Sequence, residues 1–340
     1  ILGIRDKEQF PLLFYRENCA DMALSEDDVS EAFIARSEAV LVTGTHLSQE
    51  GVRAASKKAI RLAKAQGAWV IMDVDYRPVL WGLTSPELGE QRFVANDSVT
   101  RELQTIIQDC DLIVGTEEEL HILAGTTDTL KAIQEIRART GATIVCKRGA
   151  LGCVVFDGEP GPTLDSGVSG RYFEIDVFNV LGAGDAFMSG FLRGWLRGES
   201  LETCCTWANA CGALVVSRHG CAPAIPSWAE LQYFLEQGSE FRALRLDPML
   251  ENVHWASNRN GEYDCLTILP IHHRTQFAEL AEEFAVDSSR IGKLKSMALQ
   301  SVDQLAAGDA NFGILLDGTL GEEALAKAAD TPYWTGRPIE

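Results

Sequence analysis

The chain has 340 residues, 46% apolar and 23% charged, values that exclude a disordered tail, a collagen-like fibre and a long coiled coil. Its 49 acidic against 30 basic side chains give a formal charge of -19, a field that repels phosphate backbones and anionic lipid. Nucleic acid and membrane are therefore excluded as first partners, and no apolar run reaches the roughly eighteen residues of a spanning helix.

In chain order, residues 2–4 and 12–16, parted by a charged turn with Pro11, predict a β-ribbon outside the main sheet. Residues 39–43 (AVLVT) predict a strand. Ser48 is placed to cap a helix whose apolar positions Val52, Ala55, Ala59 and Leu62 share one face, and Gly67 ends it. A buried strand follows at 69–74, then a helix near 99–108 and a strand at 112–114. Helices near 117–124 and 128–139 lead to strands at 143–146, 153–156 and 172–178. Helices over 185–196 and 201–218 come next. Strands joined by helical crossovers predict an α/β layered fold with ligands at the carboxyl ends of the strands.

Residues 238–262 are polar and weakly periodic, as an inter-domain connection would be. Beyond them a strand at 266–269, helices near 275–284 and 290–300, a strand at 314–316 and a helix from 321 begin a second α/β unit. Lys293 and Lys295 read as helix-surface charges. His272 and His273, adjacent at a strand end, would point to opposite sides rather than share a metal. Nine cysteines without framework spacing read as buried thiols in a reducing cytoplasm.

The stretch from Asn179 to Phe187, NVLGAGDAF, carries the chemistry. Gly182 and Gly184 let the backbone turn so that the N–H groups of Ala183, Gly184 and Asp185 converge at a helix N-terminus, where the dipole also favours an anion. Asp185 then stands beside that anion, able to orient and deprotonate an attacking hydroxyl, as phosphoryl transfer requires. A glycine-rich turn with Asp capping a helix explains the same letters without chemistry. The Walker pattern is excluded because no Lys-Ser/Thr follows the glycines. The dinucleotide fingerprint is excluded because Phe187 stands where Gly or Ala is needed.

The run GAGDAFMSGF resembles the C-terminal signature of the ribokinase-like (PfkB) carbohydrate kinases. Asp73-Val74-Asp75-Tyr76-Arg77 with Leu80-Trp81 is similar to the D-x-N-x-R-x-x-L-W stretch of the 2-keto-3-deoxygluconate kinase branch, and Phe14-Tyr15-Arg16 to its lid segment. Thr116 to Glu119 resembles the N-x-x-E element, Cys146-Lys147-Arg148-Gly149-x-x-Gly152 the nucleotide-binding turn, and Asn209-Ala210 the nucleotide-side Asn. The wording of FYRENCADMAL, VTGTHLS, IVGTEEE, NVLGAGD and SRHGCAPAIP is similar to the inositol-catabolic branch, the 5-dehydro-2-deoxygluconokinases.

The resemblance implies a ribokinase-like three-layer α/β/α sandwich over residues 1–240, with 1–20 in a β lid. It implies transfer of phosphate from ATP, with Mg²⁺, to the primary hydroxyl of 5-dehydro-2-deoxygluconate. Asp185 would be the base, and Gly182, Ala183 and Gly184 the anion-hole turn. Tyr15, Arg16 and Arg77 would face the sugar acid, and Lys147, Gly149, Gly152 and Asn209 the nucleotide. Glu119 would hold magnesium through water. Other readings are a 2-keto-3-deoxygluconate kinase, another PfkB sugar kinase, or a sugar- or nucleotide-binding protein without catalysis. Family members often pair through the lid, which implies a homo-oligomer.

Asn179-Val180 stands where many members have Asp-Thr, removing the charge linked there to a monovalent-cation site. Thr116 and Asp75 each replace an Asn. The N-terminal strands and sugar-binding signature of the family would precede Ile1, so the kinase unit is expected to be incomplete at its front. After a connection over 241–262, Leu269-Pro270-Ile271-His272-His273-Arg274 and Gly313 to Asp317 are similar to strand ends of class I aldolase barrels. Residues 263–340 are thus expected to begin a TIM-barrel-like α/β domain, incomplete at its back because such a barrel needs about 250 residues.

Overall fold

Alternate residues of a strand face opposite sides of a sheet, and here both sides are covered by helices, so the middle of each strand is apolar. In the computed structural model, Val70 and Met72 pack on one face and Ile71 between them on the other. The structure describes residues 3, 12–14, 16, 19–89, 91, 93–257, 263 and 265–338. They fall into two compact units, residues 1–259 and 260–340.

The first unit runs α1 (Glu31–Ile34), β1 (Ala39–Thr43), α2 (Glu50–Gln66), β2 (Trp69–Asp73), α3 (Asp97–Gln104), β3 (Leu112–Thr116) and α4 (Glu117–Ala124). It continues through α5 (Thr129–Arg137), β4 (Thr143–Lys147), β5 (Cys153–Phe156), α6 (Ala183–Trp195), α7 (Leu201–Val216), α8 (Trp228–Gln237) and α9 (Pro248–Ser257). The sheet order is β1-β2-β3-β4-β5, parallel except for β5. The pairs Thr43↔Asp73 and Thr116↔Lys147 bring the carboxyl ends of neighbouring strands level. One face sets Met72, Ile113 and Ile144 against Ile60, Leu103, Leu120 and Ile133 of α2 to α5. The other sets Ile71, Val114 and Val145 against Phe187, Phe191, Cys204 and Ala208 of α6 and α7. This is the three-layer α/β/α sandwich that the sequence predicts.

Three expectations are corrected. Ser48 does not cap α2; the N-cap is Gln49, and the Ser48 hydroxyl donates instead to the Thr45 carbonyl at 2.7 Å. Residues 172–178 form no strand. Their N–H groups go elsewhere, Asp176 to the Arg242 carbonyl and Phe178 to the Val216 carbonyl at the end of α7. Residues 248–257, expected within a connection, are the helix α9, joined to α8 by His254 and Glu230. The β-ribbon expected at 2–4 and 12–16 lies largely outside the described residues. Six of the nine cysteines are buried thiols. Among the described residues, no helix is long and apolar enough to cross a membrane.

The second unit runs β6 (Thr267–Pro270), α10 (Thr275–Glu283), α11 (Ser289–Ala306), β7 (Phe312–Leu315), α12 (Glu322–Ala328) and β8 (Trp334–Gly336). Its strands form an open parallel sheet, β6-β7-β8, much smaller than a closed eight-stranded barrel. Lys295, expected on a helix surface, is fully buried. Its ammonium donates to the Asp317 carboxylate and, at 3.0 Å, to the His273 carbonyl. Asp317 also accepts the N–H groups of Thr319 and Leu320, so the pair ties α11 to the loop after β7. Removing one member of a buried pair costs about 3–5 kcal/mol because the other charge is left uncompensated. Lys295→Met is expected to destabilise this unit by that amount, seen as accelerated hydrogen exchange of β7 amides. Wild-type exchange rates would show that the pair holds nothing.

Candidate active site

The carboxyl ends of β1 to β4 carry the polar groups. α6 begins at Gly182, which takes a left-handed φ of 83°. A Cβ there would also come within 2.6 Å of the Cys221 sulfur, so only glycine fits. The next residue differs from the expectation. The Ala183 N–H turns back to the Val180 carbonyl at 3.4 Å, so the converging donors are Gly184 and Asp185, for which a helix start supplies no acceptor. Asp185 is exposed on this first turn. Burial pushes the Cys221 thiol up, and the charge of Asp185 adds to it. Asn179 is buried beneath the turn; its Oδ1 accepts from Leu181 N–H and its Nδ2 donates to the Gly220 carbonyl, both at 2.9 Å.

Lys147 ends β4 with its ammonium 3.2 Å from Asp73 Oδ1 at the end of β2 and 3.6 Å from Glu119 Oε2. Glu119 is fixed by a reciprocal cap at the start of α4. Its Oε2 accepts the Thr116 N–H at 2.7 Å, while its own N–H donates to Thr116 Oγ1 at 3.2 Å. Arg77 reaches the same carboxylate, 3.9 Å from Glu119 Oε1, and pairs with Asp75 at 2.8 Å. Asp75 itself sits at a positive φ of 30°, held by Thr45 Oγ1, which donates to both its carbonyl and its carboxylate at 2.8 Å. A Cβ placed on Gly184 would lie 3.8 Å from the Lys147 ammonium. The lysine therefore stands beside the α6 turn.

The electrostatics follow from this packing. Burial pushes the Asp73 carboxyl up to about 6; Lys147 pulls it back, while Glu119 and Asp75 add to the push. Burial alone would lower Lys147, but Asp73 and Glu119 outweigh it and hold the ammonium above its ordinary value. The folded chain thus holds the Asp73 proton more tightly than the unfolded chain. Its contribution to stability is full below the ordinary value of 3.8 and is lost as pH rises through about 6. That loss is about 3 kcal/mol. Asp73→Asn is expected to remove this slope, so the wild-type advantage in urea unfolding falls by that amount between about pH 4 and about pH 7. A pH-independent difference would contradict it.

The remaining expected residues are placed less directly. Tyr15 lies outside the described residues. Arg16 pairs with Asp21, which also lies 3.4 Å from His46 Nε2 just beyond β1. Gly149 and Gly152 both take positive φ in the turn after β4, and Gly149 faces open space. Asn209 is buried under that turn. Its Nδ2 donates to the Arg171 carbonyl at 2.9 Å, and a Cβ on Gly152 would strike it at 2.8 Å, so Asn209 supports the turn from below. Sequence reasoning did not single out Asp73, Asp75, Thr45 or Asn179 as site residues. The signal for Asp73 was present: a carboxylate closing an apolar strand must face the ligand end of the sheet.

Among the described residues, no three His, Cys, Asp or Glu side chains gather to hold a bare metal. Glu119 and Asp73 beside Lys147 fit a magnesium ion that keeps its water shell and arrives with nucleotide phosphates. A cavity of about 550 Å³ lined by Lys64, Trp69, Asp111 and Trp195 lies at the opposite, amino ends of the strands, where sheets of this type do not take ligands.

Residues 2–228 match the family described as pfkB family carbohydrate kinase, and residues 230–340 match one described as an uncharacterized protein conserved in bacteria (DUF2090). A 5-dehydro-2-deoxygluconokinase of Halalkalibacterium halodurans is 32% identical over 237 residues, which cover 69% of this chain and 66% of that protein. The chain thus spans about two thirds of the length of that relative. A fructokinase double mutant of Vibrio cholerae, bound to fructose, ADP and potassium, superposes with a TM-score of 0.54 at 26% identity, covering 67% of this chain and 69% of that one. An aminoimidazole riboside kinase of Salmonella enterica with its riboside and an ATP analogue shares the fold, with a TM-score of 0.51, 23% identity and coverage of 65% and 69%. By its sequence match over two thirds of its length, the chain belongs to the pfkB family of carbohydrate kinases.

Proposed function

We propose that the first unit transfers the terminal phosphoryl group of ATP to the primary hydroxyl of a keto-deoxy sugar acid, 5-dehydro-2-deoxygluconate in myo-inositol breakdown. The observation that carries this reading is the Lys147 ammonium beside Gly184, at the start of the helix whose first turn carries Asp185. Asp185 accepts the hydroxyl proton as the oxygen attacks phosphorus; the new O–P bond forms while the bond to ADP breaks. Lys147 and the N–H groups of Gly184 and Asp185 balance charge on the transferring group, and their preorganisation against Asp73 and Glu119 avoids reorganisation during the step. Arg77 is placed to take the substrate carboxylate, since a guanidinium binds it with two parallel hydrogen bonds. A magnesium ion bound with ATP, reached by Glu119 through water, would neutralise phosphate charge.

The relatives of this chain named 5-dehydro-2-deoxygluconokinase support the choice of sugar acid. The measurement is ADP release by the full chain with 5-dehydro-2-deoxygluconate, 2-keto-3-deoxygluconate and fructose. A specificity constant at least about tenfold higher for the first is expected. Equal rates would overturn the substrate assignment, and no turnover of any sugar with ATP still binding would favour a non-catalytic binder. The second unit, a three-stranded parallel sheet among the described residues, is assigned no activity.

A further inference from the structure

Among the described residues three non-glycine positions take a positive φ: Asp75, Ala285 and Ala307. The two alanines follow the ends of α10 and α11, where a left-handed residue is ordinary. Asp75 ends no helix; it lies two residues beyond β2, at a φ of 30°. A residue with a side chain keeps such a conformation only where its surroundings impose it, and positions of this kind gather at functional sites.

The surroundings are specific. On one side the Val74 N–H donates to the Val114 carbonyl at 2.8 Å. On the other, Tyr76 is buried and its hydroxyl donates to the Val94 carbonyl at 2.7 Å. Between these anchors comes the 3-10 turn Gly44–Leu47 that follows β1. Gly44 packs so closely that a Cβ on it would come within 2.1 Å of the Val74 carbonyl oxygen. That approach brings the buried Thr45 onto Asp75, with Oγ1 at 2.8 Å from both the carbonyl oxygen and Oδ2. A hydroxyl has one proton, so the two acceptors share it. A single side-chain atom thereby fixes both the backbone and the carboxylate of the strained residue.

With Oδ2 held by Thr45, Oδ1 of Asp75 faces Arg77 Nη2 at 2.8 Å. Arg77 Nη1 lies 3.4 Å from the Tyr76 carbonyl and 3.9 Å from Glu119 Oε1. Both terminal nitrogens are therefore anchored. A guanidinium has five N–H groups, so donors remain for a substrate carboxylate. Holding a long side chain in its bound orientation before the ligand arrives lowers the entropy lost on binding.

We propose that Thr45 is a positioning residue for the sugar: its hydroxyl locks Asp75 in the left-handed conformation, and Asp75 in turn fixes the Arg77 guanidinium for the substrate carboxylate. The effect on substrate affinity rests on the kinase reading above and on the place of Arg77 in it; the ordering of Arg77 does not.

The test compares Thr45→Val, which keeps the shape and removes the donor, with Thr45→Ser, which restores the donor, both in the full chain. In Thr45→Val the KM for 5-dehydro-2-deoxygluconate is expected to rise about tenfold, the worth of one lost hydrogen bond, while kcat and the KM for ATP stay within about twofold. Thr45→Ser should remain within about twofold of wild type in all three. Nuclear relaxation of the Arg77 Nε–H group supplies a readout that needs no turnover: its order parameter should fall from about 0.8 to below about 0.6 in Thr45→Val and recover in Thr45→Ser. An unchanged Arg77 order parameter in Thr45→Val, an unchanged sugar KM, or a Thr45→Ser variant as impaired as Thr45→Val would each overturn the proposal. If Thr45→Val does not fold, Asp75→Gly takes its place, because glycine adopts a φ of 30° without strain and removes the same carboxylate from Arg77. It should give the same rise in sugar KM and the same loss of Arg77 order, and wild-type values of either would overturn the proposal. Absence of turnover with any sugar would sink the kinase reading, and the Arg77 order parameter would still decide whether Thr45 positions it.

Discussion

Asp185→Asn is expected to lower kcat about 10³- to 10⁴-fold while leaving the affinity for a non-hydrolysable ATP analogue within about twofold. The amide keeps the shape of the side chain and the backbone of α6, so Gly184 and Asp185 N–H still point at the anion. What disappears is the proposed acceptor for the hydroxyl proton and one negative charge on an exposed first turn. The lost interaction with the helix dipole is worth only about 0.3–1 kcal/mol, so the melting temperature should move little. A large loss of rate with little loss of stability or nucleotide binding is the signature of a base. Steady-state kinetics and calorimetric titration of the analogue decide it, and a variant retaining even a tenth of wild-type turnover would remove Asp185 from that role.

The legible parts of the molecule are those whose physics is local. A glycine pair before Asp185 states a left-handed turn and a helix start in adjacent letters, and the structure starts α6 at Ala183, two residues before the expected start at Asp185. The strand at 69–73 is equally plain because its buried middle, Val70 to Met72, has no polar face. What sequence could not supply was set by register. Lys147 and Asp73 are 74 positions apart, and they meet because the parallel register sets Asp73 opposite Val114 and Lys147 opposite Thr116, two residues further along β3. Read alone, Lys147 is a turn lysine as plausibly as a ligand contact.

The same limit explains the errors. Residues 172–178 have strand-like letters, but a strand needs a neighbour, and their N–H groups find the carbonyls of Val216 and Arg242 instead. Lys295 sits among polar neighbours on α11, and nothing nearby announces Asp317, 22 positions on, as its partner. In each case a distant backbone or carboxylate decided the outcome.

Lys147→Met separates the two jobs that this lysine holds. The substitution keeps the stem and removes the cation lying between Asp73 and Glu119, leaving two buried carboxylates facing each other. Uncompensated burial of charge costs about 3–5 kcal/mol, but Asp73 already titrates near 6 and can take up a proton to relieve it. The stability deficit of Lys147→Met is therefore expected to be small near pH 5 and to grow as pH rises, since deprotonating Asp73 becomes harder without its cation. Turnover should fall about 10²- to 10³-fold at every pH, because the charge that balances the transferring group is gone. Adding Asp73→Asn tests the distinction. The double variant removes the carboxylate that needed neutralising, so it should regain stability above pH 6 without regaining kcat. Urea unfolding and initial rates on the same four proteins read both quantities. If kcat returns along with stability, Lys147 serves only to neutralise Asp73, and the cation beside Gly184 has no part in phosphoryl transfer.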